Sequence, residues 1–479
     1  MVSTLDQLKD ELNSASQEHV LQFWSELDDQ ERDAFWKQLS TVNFKNSNHL
    51  FERAQRSLAT DTEKLDERME PIPSEHFASQ LSVDEAELER YENAALEEIA
   101  KGTVAVLLLA GGQGTRLGLS YPKGMCSVGL PSGKTLLQLQ AERIRSVVNL
   151  AKQKTGKEGG ICWYIMTSGA TNATTRKFLE ANDFFGLPAT NVKLFEQGLL
   201  PCFDFDGKLL LEDRNAVALA PDGNGGVYRA LETSDILADM TQRGVKYVHV
   251  YCVDNILVKV ADPLFIGYCI TKEAECGAKV VSKEEATEPV GVVCKVDGRF
   301  QVVEYSEITE RTAKLRDASG NLVFRAGNIC NHFFSVDFLR AVCEQHERNL
   351  KLHVAKKKIA HVDARGEKVK PDTPNGIKIE KFVFDAFQFA SRFVTWEVPR
   401  TREFSALKNA DGAKKDCPST ARRDLLHLHR TYVERAGGFV DPGVDVEVSP
   451  LLSYGGENLE KKVRGRRFQS STILLADNE

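Results

Sequence analysis

Residues Val104-Ala105-Val106-Leu107-Leu108-Leu109 form an unbroken apolar run that empties into Ala110-Gly111-Gly112-Gln113-Gly114. A strand with one wet face alternates apolar and polar residues, whereas a strand covered on both faces does not, so this run belongs inside a parallel sheet flanked by helices. Runs of the same kind recur at Ile161–Met166, Val192–Phe195, Tyr247–Val253 and Ala278–Val281, with helical stretches between them. That alternation predicts an α/β fold with a doubly wound, mostly parallel, Rossmann-like sheet. Two hairpins are expected to decorate it, at Asp206-Gly207 and Asp297-Gly298, each flanked by alternating apolar residues.

The flanks read differently. In residues 1–100, Leu5, Leu8, Leu12 and then Val20, Leu21, Trp24 and Leu27 recur at helical spacing among acidic and amide residues. Pro71-Ile72-Pro73 interrupts this region before an acidic helix expected over Asp84–Ala100. From about Thr401 the periodicity weakens, and Val444–Leu475 reads as short strands and turns. The expected organisation is a helical N-terminal region (1–100), an α/β catalytic domain (101–400) and a small β-rich C-terminal domain (401–479).

Charge follows the same division. Residues 1–100 hold 23 acidic and 9 basic side chains, whereas the remainder holds 46 acidic against 53 basic. A mildly positive body suits small anionic substrates. A nucleic-acid surface would need Lys and Arg clustered with aromatics, and only Lys356-Lys357-Lys358 and Arg464–Arg467 come close. Both read as solvated faces, so no nucleic-acid partner is expected. The ten cysteines occur singly, with no C-x-x-C pair, and Cys162, Cys252 and Cys294 sit inside apolar runs, as reduced core residues do. No stretch approaches the ~18 apolar residues of a membrane span. A cytoplasmic protein without a membrane partner is expected.

The first strand continues through Gly111-Gly112-Gln113-Gly114-Thr115-Arg116-Leu117-Gly118 to Tyr121-Pro122-Lys123. A glycine-rich loop at the carboxyl end of a first strand lets backbone N–H groups line up on phosphate oxygens, and Arg116 and Lys123 add charge to the same place. A tight turn that merely uses glycine is the competing account. A dinucleotide fingerprint is excluded because Leu117 stands where the third glycine belongs, with no clear acidic ribose ligand after the second strand. Gly129-Leu130-Pro131-Ser132-Gly133-Lys134-Thr135 imitates a Walker loop but has three residues between its glycines and no strand before it. It reads as the turn that starts a helix over Thr135–Leu150.

The loop with its Pro-Lys resembles the sugar-nucleotide nucleotidyltransferases. The fuller match, covering most of the chain, is to the eukaryotic UDP-N-acetylhexosamine pyrophosphorylases. The resemblance implies UTP and N-acetylglucosamine 1-phosphate as substrates, UDP-N-acetylglucosamine and pyrophosphate as products, and a monomer or homodimer. N-acetylgalactosamine 1-phosphate is a second candidate substrate. It places Leu109, Gly111, Gly112, Gly114 and Thr115 on the nucleotide, with Arg116, Lys123 and Lys408 as the catalytic cations.

Further segments agree with it. Phe195-Glu196-Gln197-Gly198 ends the third strand, and the Gln197 carboxamide carries both donors and an acceptor suited to a uracil edge. Pro221-Asp222-Gly223-Asn224-Gly225-Gly226 opens the next helix, and the resemblance puts Gly223 and Asn224 on the nucleotide; a plain surface loop is the alternative for each. Asp254, leaving the apolar run Tyr251-Cys252-Val253, needs a partner or a cation. The resemblance makes it a Mg²⁺ ligand, and a helix N-cap is the alternative. For the sugar it implies Asn255, Gly291, Glu304, Asn328, Lys381, Phe382 and Phe384, with Asn328 and Phe384 around the acetamido group. Without the resemblance, Phe382 and Phe384 read as core aromatics. His427 and His429 have no cysteine partner at zinc spacing and read as a solvated helix face. Two other functions stay open: transfer onto glucose 1-phosphate, and non-catalytic binding of a nucleotide sugar.

Overall fold

The computed structural model describes residues 4–40, 42–60, 65–477 and 479. Residues 1–3, 41 and 61–64 of the expected helical region lie outside the described residues. The chain divides into two compact units. One comprises Met1–Lys64, Gln197–Arg229 and Arg348–Asp385; the other comprises Leu65–Glu196, Ala230–Glu347 and Ala386–Glu479. These units cut the chain elsewhere than at 100 and 400, because apolar faces distant in sequence share cores.

In the first unit, helices Leu5–Ser14, Asp29–Leu39 and Phe44–Thr60 bury Leu8, Leu12 and Phe35 against Phe203, Leu209, Ile377 and Ile379. Asp28 starts the second of these helices with a capping box, its carboxylate accepting from the Glu31 N–H while Glu31 reaches back. A three-stranded antiparallel sheet joins His353–Lys357, Gly376–Glu380 and Phe203–Asp204. The Asp206-Gly207 turn is present, closed by the Asp204 N–H on the Lys208 carbonyl at 2.8 Å.

The second unit is built on the expected sheet. Its strands include β1 (Phe77–Ser79), β2 (Val104–Leu109), β3 (Cys162–Thr167), β4 (Val192–Glu196), β5 (Tyr247–Cys252), β6 (Cys276–Ser282), β7 (Val292–Val296), β8 (Arg299–Val303), β9 (Ala326–Ser335) and β10 (Phe393–Glu397). Across the sheet the order is β1-β10-β6-β9-β5-β2-β3-β4. All neighbours are parallel except β9, which runs antiparallel to both β5 and β6. All six residues of β2 are buried, as an uninterrupted apolar run requires. Helices α1 (Glu85–Ala100), α2 (Leu136–Thr155) and α3 (Pro263–Thr271) cover one face. On the other, Tyr164 donates to Asp239 of the helix Ile236–Gln242 at 2.8 Å. The β7–β8 hairpin turns at Asp297-Gly298 with both residues at positive φ, the backbone that a two-residue hairpin loop demands.

The acidic helix α1 belongs to this unit, since Tyr91, Leu96 and Ile99 share a core with Phe265 and Tyr268 of α3. Helix α4 (Pro418–Arg435) and two short parallel pairs, Phe439–Val440 with Arg467–Phe468 and Val446–Val448 with Thr472–Leu474, form the C-terminal part. They share a core with Leu136 and Leu139 of α2. His427 is exposed, but His429 is buried, its Nδ1 accepting the Val448 N–H at 3.1 Å. The solvated face expected for it is therefore corrected: α4 turns Leu425, Leu428 and His429 inward together.

Candidate functional site

Two neighbouring strands of the second unit deliver the chemistry to one edge. Leu109 at the end of β2 stands opposite Cys252 at the end of β5, so the glycine loop and Asp254 leave the sheet side by side. Because β9 runs antiparallel to β5, its opening residues, Gly327 and Asn328, come to the same edge.

Leu109 is buried, whereas Gly112, Thr115 and Arg116 are exposed. The Ser168 hydroxyl, just beyond β3, donates to the Gly111 carbonyl at 2.9 Å and fixes where the loop begins. Gly114 sits at φ +71 and starts the single turn Thr115–Leu117, a left-handed backbone that a β-carbon would oppose. Among the described residues, the N–H groups of Gly111, Gly112, Gln113 and Gly114 donate to no protein acceptor. Backbone amides without a protein acceptor can take the oxygens of an anion.

Lys123 follows Pro122 in a short turn. Its Nζ donates to the Leu407 carbonyl at 3.0 Å and lies 3.9 Å from the Asp254 carboxylate. The Leu407 N–H in turn donates to the Asp254 carbonyl at 2.8 Å. Leu407 thus joins Lys123 and Asp254 directly, and the next residue, Lys408, is exposed. Asp254 keeps 23% of its side chain exposed, so the helix N-cap reading does not apply: it caps no helix and offers oxygen to solvent. Mg²⁺ takes only one or two protein carboxylates and completes its shell with water and substrate phosphates. Asp254 fits that requirement. Among the described residues no group of three His, Cys, Asp or Glu side chains forms a closed metal cage.

Asn255, expected to bind the sugar, is engaged with protein groups. It is 3% exposed. Its Nδ2 donates to the Glu403 carbonyl at 2.7 Å, while its Oδ1 accepts from the N–H groups of Ser405 at 3.0 Å and Leu257 at 3.2 Å. The carboxamide therefore clamps the segment carrying Leu407 and Lys408 to the end of β5. Behind it, Lys279 Nζ lies 2.5 Å from both the Asp262 and Glu403 carboxylates, all three fully buried. Lys279 and the nearby Lys259 hold Asp262 below the usual carboxylate range despite its burial.

Gly291, Glu304 and Asn328 also come together in this unit. Val292 pairs with Val303 and with Gly327, the Asn328 N–H donates to the Gly291 carbonyl at 2.8 Å, and the Glu304 carboxylate lies against Gly291. The hairpin register set by Asp297-Gly298 produces this grouping.

The first unit gathers Gly223, Asn224, Lys381, Phe382 and Phe384. Gly223 has φ +84, and a β-carbon there would sit 2.4 Å from the Lys381 carbonyl. The Lys381 N–H donates to the Asp222 carbonyl and the Gly225 N–H to the Lys381 carbonyl, both at 2.8 Å. Asn224 Oδ1 accepts the Val383 N–H at 2.9 Å. Gln197 is half-buried, and its neighbour Gly198 accepts the Asp222 N–H at 3.1 Å. Phe384 is buried and Phe382 half-buried, their rings 5.1 Å apart. His353 lies over Phe382 at 4.1 Å, and Asp385 accepts from both the His353 ring and the Phe382 N–H. His353 and Asp385 are additions that a lone histidine and a lone aspartate did not signal in the sequence.

The Walker-like segment is structural. Lys134 is buried and donates to Glu142 at 2.7 Å and Ser449 at 3.1 Å, with Glu479 also paired to it. Ser132 is bound to Glu447. The segment ends at Thr135, which caps α2.

Comparison with known proteins adds the following. Residues 45–475 match the family described as UTP–glucose-1-phosphate uridylyltransferase. The chain is 51% identical to UDP-N-acetylhexosamine pyrophosphorylase-like protein 1 of Xenopus tropicalis, over 97% of this chain and 95% of that one. It is 42% identical to the UDP-N-acetylglucosamine pyrophosphorylase of Saccharomyces cerevisiae, over 96% and 98%. Its fold is similar to the crystal structure of the uridine diphosphate N-acetylglucosamine pyrophosphorylase of Trypanosoma brucei in complex with an inhibitor. The TM-score is 0.86 at 32% identity, covering 100% of this chain and 99% of that one.

Proposed function

Because the chain belongs to the UTP–glucose-1-phosphate uridylyltransferase family, we propose that it transfers the uridylyl group of UTP to N-acetylglucosamine 1-phosphate, giving UDP-N-acetylglucosamine and pyrophosphate. It is a nucleotidyltransferase, and the choice of an acetylated sugar follows the names its relatives carry. The observation that carries the site reading is the run of amides at Gly111–Gly114 that have no protein acceptor among the described residues, together with the Lys123–Leu407–Asp254 link.

The sugar phosphate is itself the nucleophile. One of its oxygens attacks the α-phosphorus of UTP in line, the bond to the bridging oxygen breaks, and pyrophosphate leaves with the electron pair. Such a displacement needs no protein nucleophile; positioning and charge stabilisation do the work. The loop amides hold phosphate oxygens, and the Lys123 ammonium, fixed by the Leu407 carbonyl, is directed at the developing charge. Arg116 and Lys408, both exposed, close on the triphosphate and the attacking phosphate. Asp254 would hold Mg²⁺, which when bound offsets phosphate charge. Gln197, Gly223 and Asn224 are assigned to the uridine. Gly291, Glu304, Asn328, Lys381, Phe382 and Phe384 are assigned to the sugar, and Asn255 to holding the Lys408 segment. Ten free thiols support a reducing cytoplasm, and among the described residues no helix is long and apolar enough to cross a membrane. A monomer or homodimer suffices for this chemistry.

The test is UTP-dependent pyrophosphate release with N-acetylglucosamine, N-acetylgalactosamine and glucose 1-phosphates in parallel. Lys123→Ala and Asp254→Ala are expected to lose about a hundredfold or more in kcat. Near-parental rates in both folded variants refute the site, and a preference for glucose 1-phosphate refutes the sugar.

A further inference from the structure

Helix α2 buries a guanidinium that has no carboxylate partner. Arg143 is 8% exposed. Its Nη1 donates to the carbonyls of Ile256 at 2.8 Å and Val258 at 3.0 Å. Among the described residues its Nε and Nη2 donate to no protein acceptor, and no Asp or Glu pairs with it. The carboxylates around it are engaged elsewhere. Glu142, the preceding residue, pairs with Lys134 at 2.7 Å, and Glu457 accepts the N–H groups of Tyr454 and Gly455. Glu403 and Asp262 share Lys279, and Glu403 also lies 3.6 Å from Lys259. Two ammonium groups there meet two carboxylates, and Arg143 is left without one. A guanidinium stays protonated in a protein, and a buried charge without compensation is costly.

Arg143 lines a small cavity of about 20 Å³ together with residues of α4 and the C-terminal segment, room for a single particle of the size of water, which takes about 10–15 Å³. Hydrogen-bond donors surround it. His429 Nδ1 accepts the Val448 N–H at 3.1 Å, which puts the proton of the neutral ring on Nε2. That N–H and the hydroxyl hydrogens of Tyr432 and Ser453 reach no protein acceptor among the described residues. All three side chains line the cavity, all are more than nine-tenths buried, and the His429 and Tyr432 rings lie 6.0 Å apart. Lys259 adds an ammonium, and no Asp or Glu lines the space. A water molecule would bring two hydrogens of its own into this ring of donors; a monatomic anion brings none and accepts from every side. We propose that the cavity binds one halide ion, chloride being the common one, held by Arg143, Lys259, His429 Nε2, Tyr432 and Ser453. The ion compensates Arg143, which itself holds the Ile256 and Val258 carbonyls, and so fastens α2 and α4 to the segment that follows Asp254 and Asn255.

The test dialyses the full-length protein into sodium gluconate, an anion too large for the cavity, titrates sodium chloride at constant sodium and follows thermal unfolding. Crystals of the same protein are soaked in sodium bromide for anomalous diffraction. Tm is expected to rise saturably with chloride, by roughly 3 °C at a hundredfold above the half-saturating concentration, and bromide to give an anomalous peak in the cavity. Tyr432→Phe removes one hydroxyl and little volume, and is expected to raise the half-saturating concentration about tenfold. Arg143→Met is expected to abolish the saturable response; if that variant folds poorly, Tyr432→Phe carries the comparison. Equal Tm in chloride and gluconate, a half-saturating concentration unchanged in Tyr432→Phe, or water without anomalous signal in the cavity overturns the proposal. A bromide peak with no saturable effect on Tm marks binding at crystal concentration only, and overturns it too. Neither readout involves a nucleotide or a sugar, so the outcome leaves the uridylyltransfer reading to its own test.

Discussion

Asn255→Ala separates two accounts of one residue. As a sugar ligand, Asn255 would govern affinity for the sugar phosphate and contribute little to folding. As the clamp seen here, it makes three hydrogen bonds at 2.7–3.2 Å while 3% exposed. Alanine leaves the Glu403 carbonyl and the Ser405 and Leu257 N–H groups without that partner in a buried setting. Each such group costs about 1–3 kcal/mol. Water entering the vacated carboxamide volume recovers part, so a net loss of about 3 kcal/mol is expected, read as a fall in Tm of roughly 3 °C. The freed segment carries Leu407, whose carbonyl holds Lys123 and whose N–H holds the backbone of Asp254. A positioning error near 1 Å at such groups costs about a hundredfold in rate; hence kcat is expected to drop by at least tenfold, with KM for the sugar phosphate changing less. Thermal unfolding and initial rates of pyrophosphate release on the same preparation decide it. An unchanged Tm with the loss confined to KM refutes the clamp and restores the ligand.

Three further outcomes follow from the geometry. Gly223→Ala places a β-carbon 2.4 Å from the Lys381 carbonyl at φ +84 and is expected to raise KM for UTP about tenfold or more; a parental KM removes Gly223 from the nucleotide site. Lys134→Met is expected to lower Tm while leaving KM for UTP unchanged, because Lys134 is engaged by Glu142 and Ser449; a loss of UTP affinity would revive the Walker reading. His249 and His429 are buried, and burial lowers the pKa of each to about 3. The unfolded chain takes up those protons below about pH 6.5 and the folded chain does not. Their contribution to stability is therefore full above that pH and lost as pH falls toward 3, by about 2 kcal/mol each at pH 5. His429→Leu is expected to flatten the acid limb of the unfolding curve, and an unaltered limb contradicts the assignment.

The strands of the parallel sheet were legible because apolar runs with no alternation have few other places to go, and each observed strand begins and ends within two residues of its run. The hairpin at Asp297-Gly298 was legible because both turn residues must adopt positive φ. The grouping of Gly291, Glu304 and Asn328 rests on that hairpin's register, so resemblance named the residues and pairing brought them together. The assignment of α1 was not legible: its acidic face marks it as a surface helix, but nothing local says which helix covers its apolar face.

The sequence by itself determined the class of fold, the glycine loop at the end of β2, Lys123 in the segment that follows it and Asp254 just beyond β5, since each depends on residues close together in the chain. Only the tertiary structure decided that Asn255 is buried against the segment of Glu403 and Ser405 and that Lys134 and His429 are interior. Those outcomes depend on which distant backbone groups arrive beside a side chain. Hydrogen bonding and burial are set by that arrival, and no local pattern of residues encodes it.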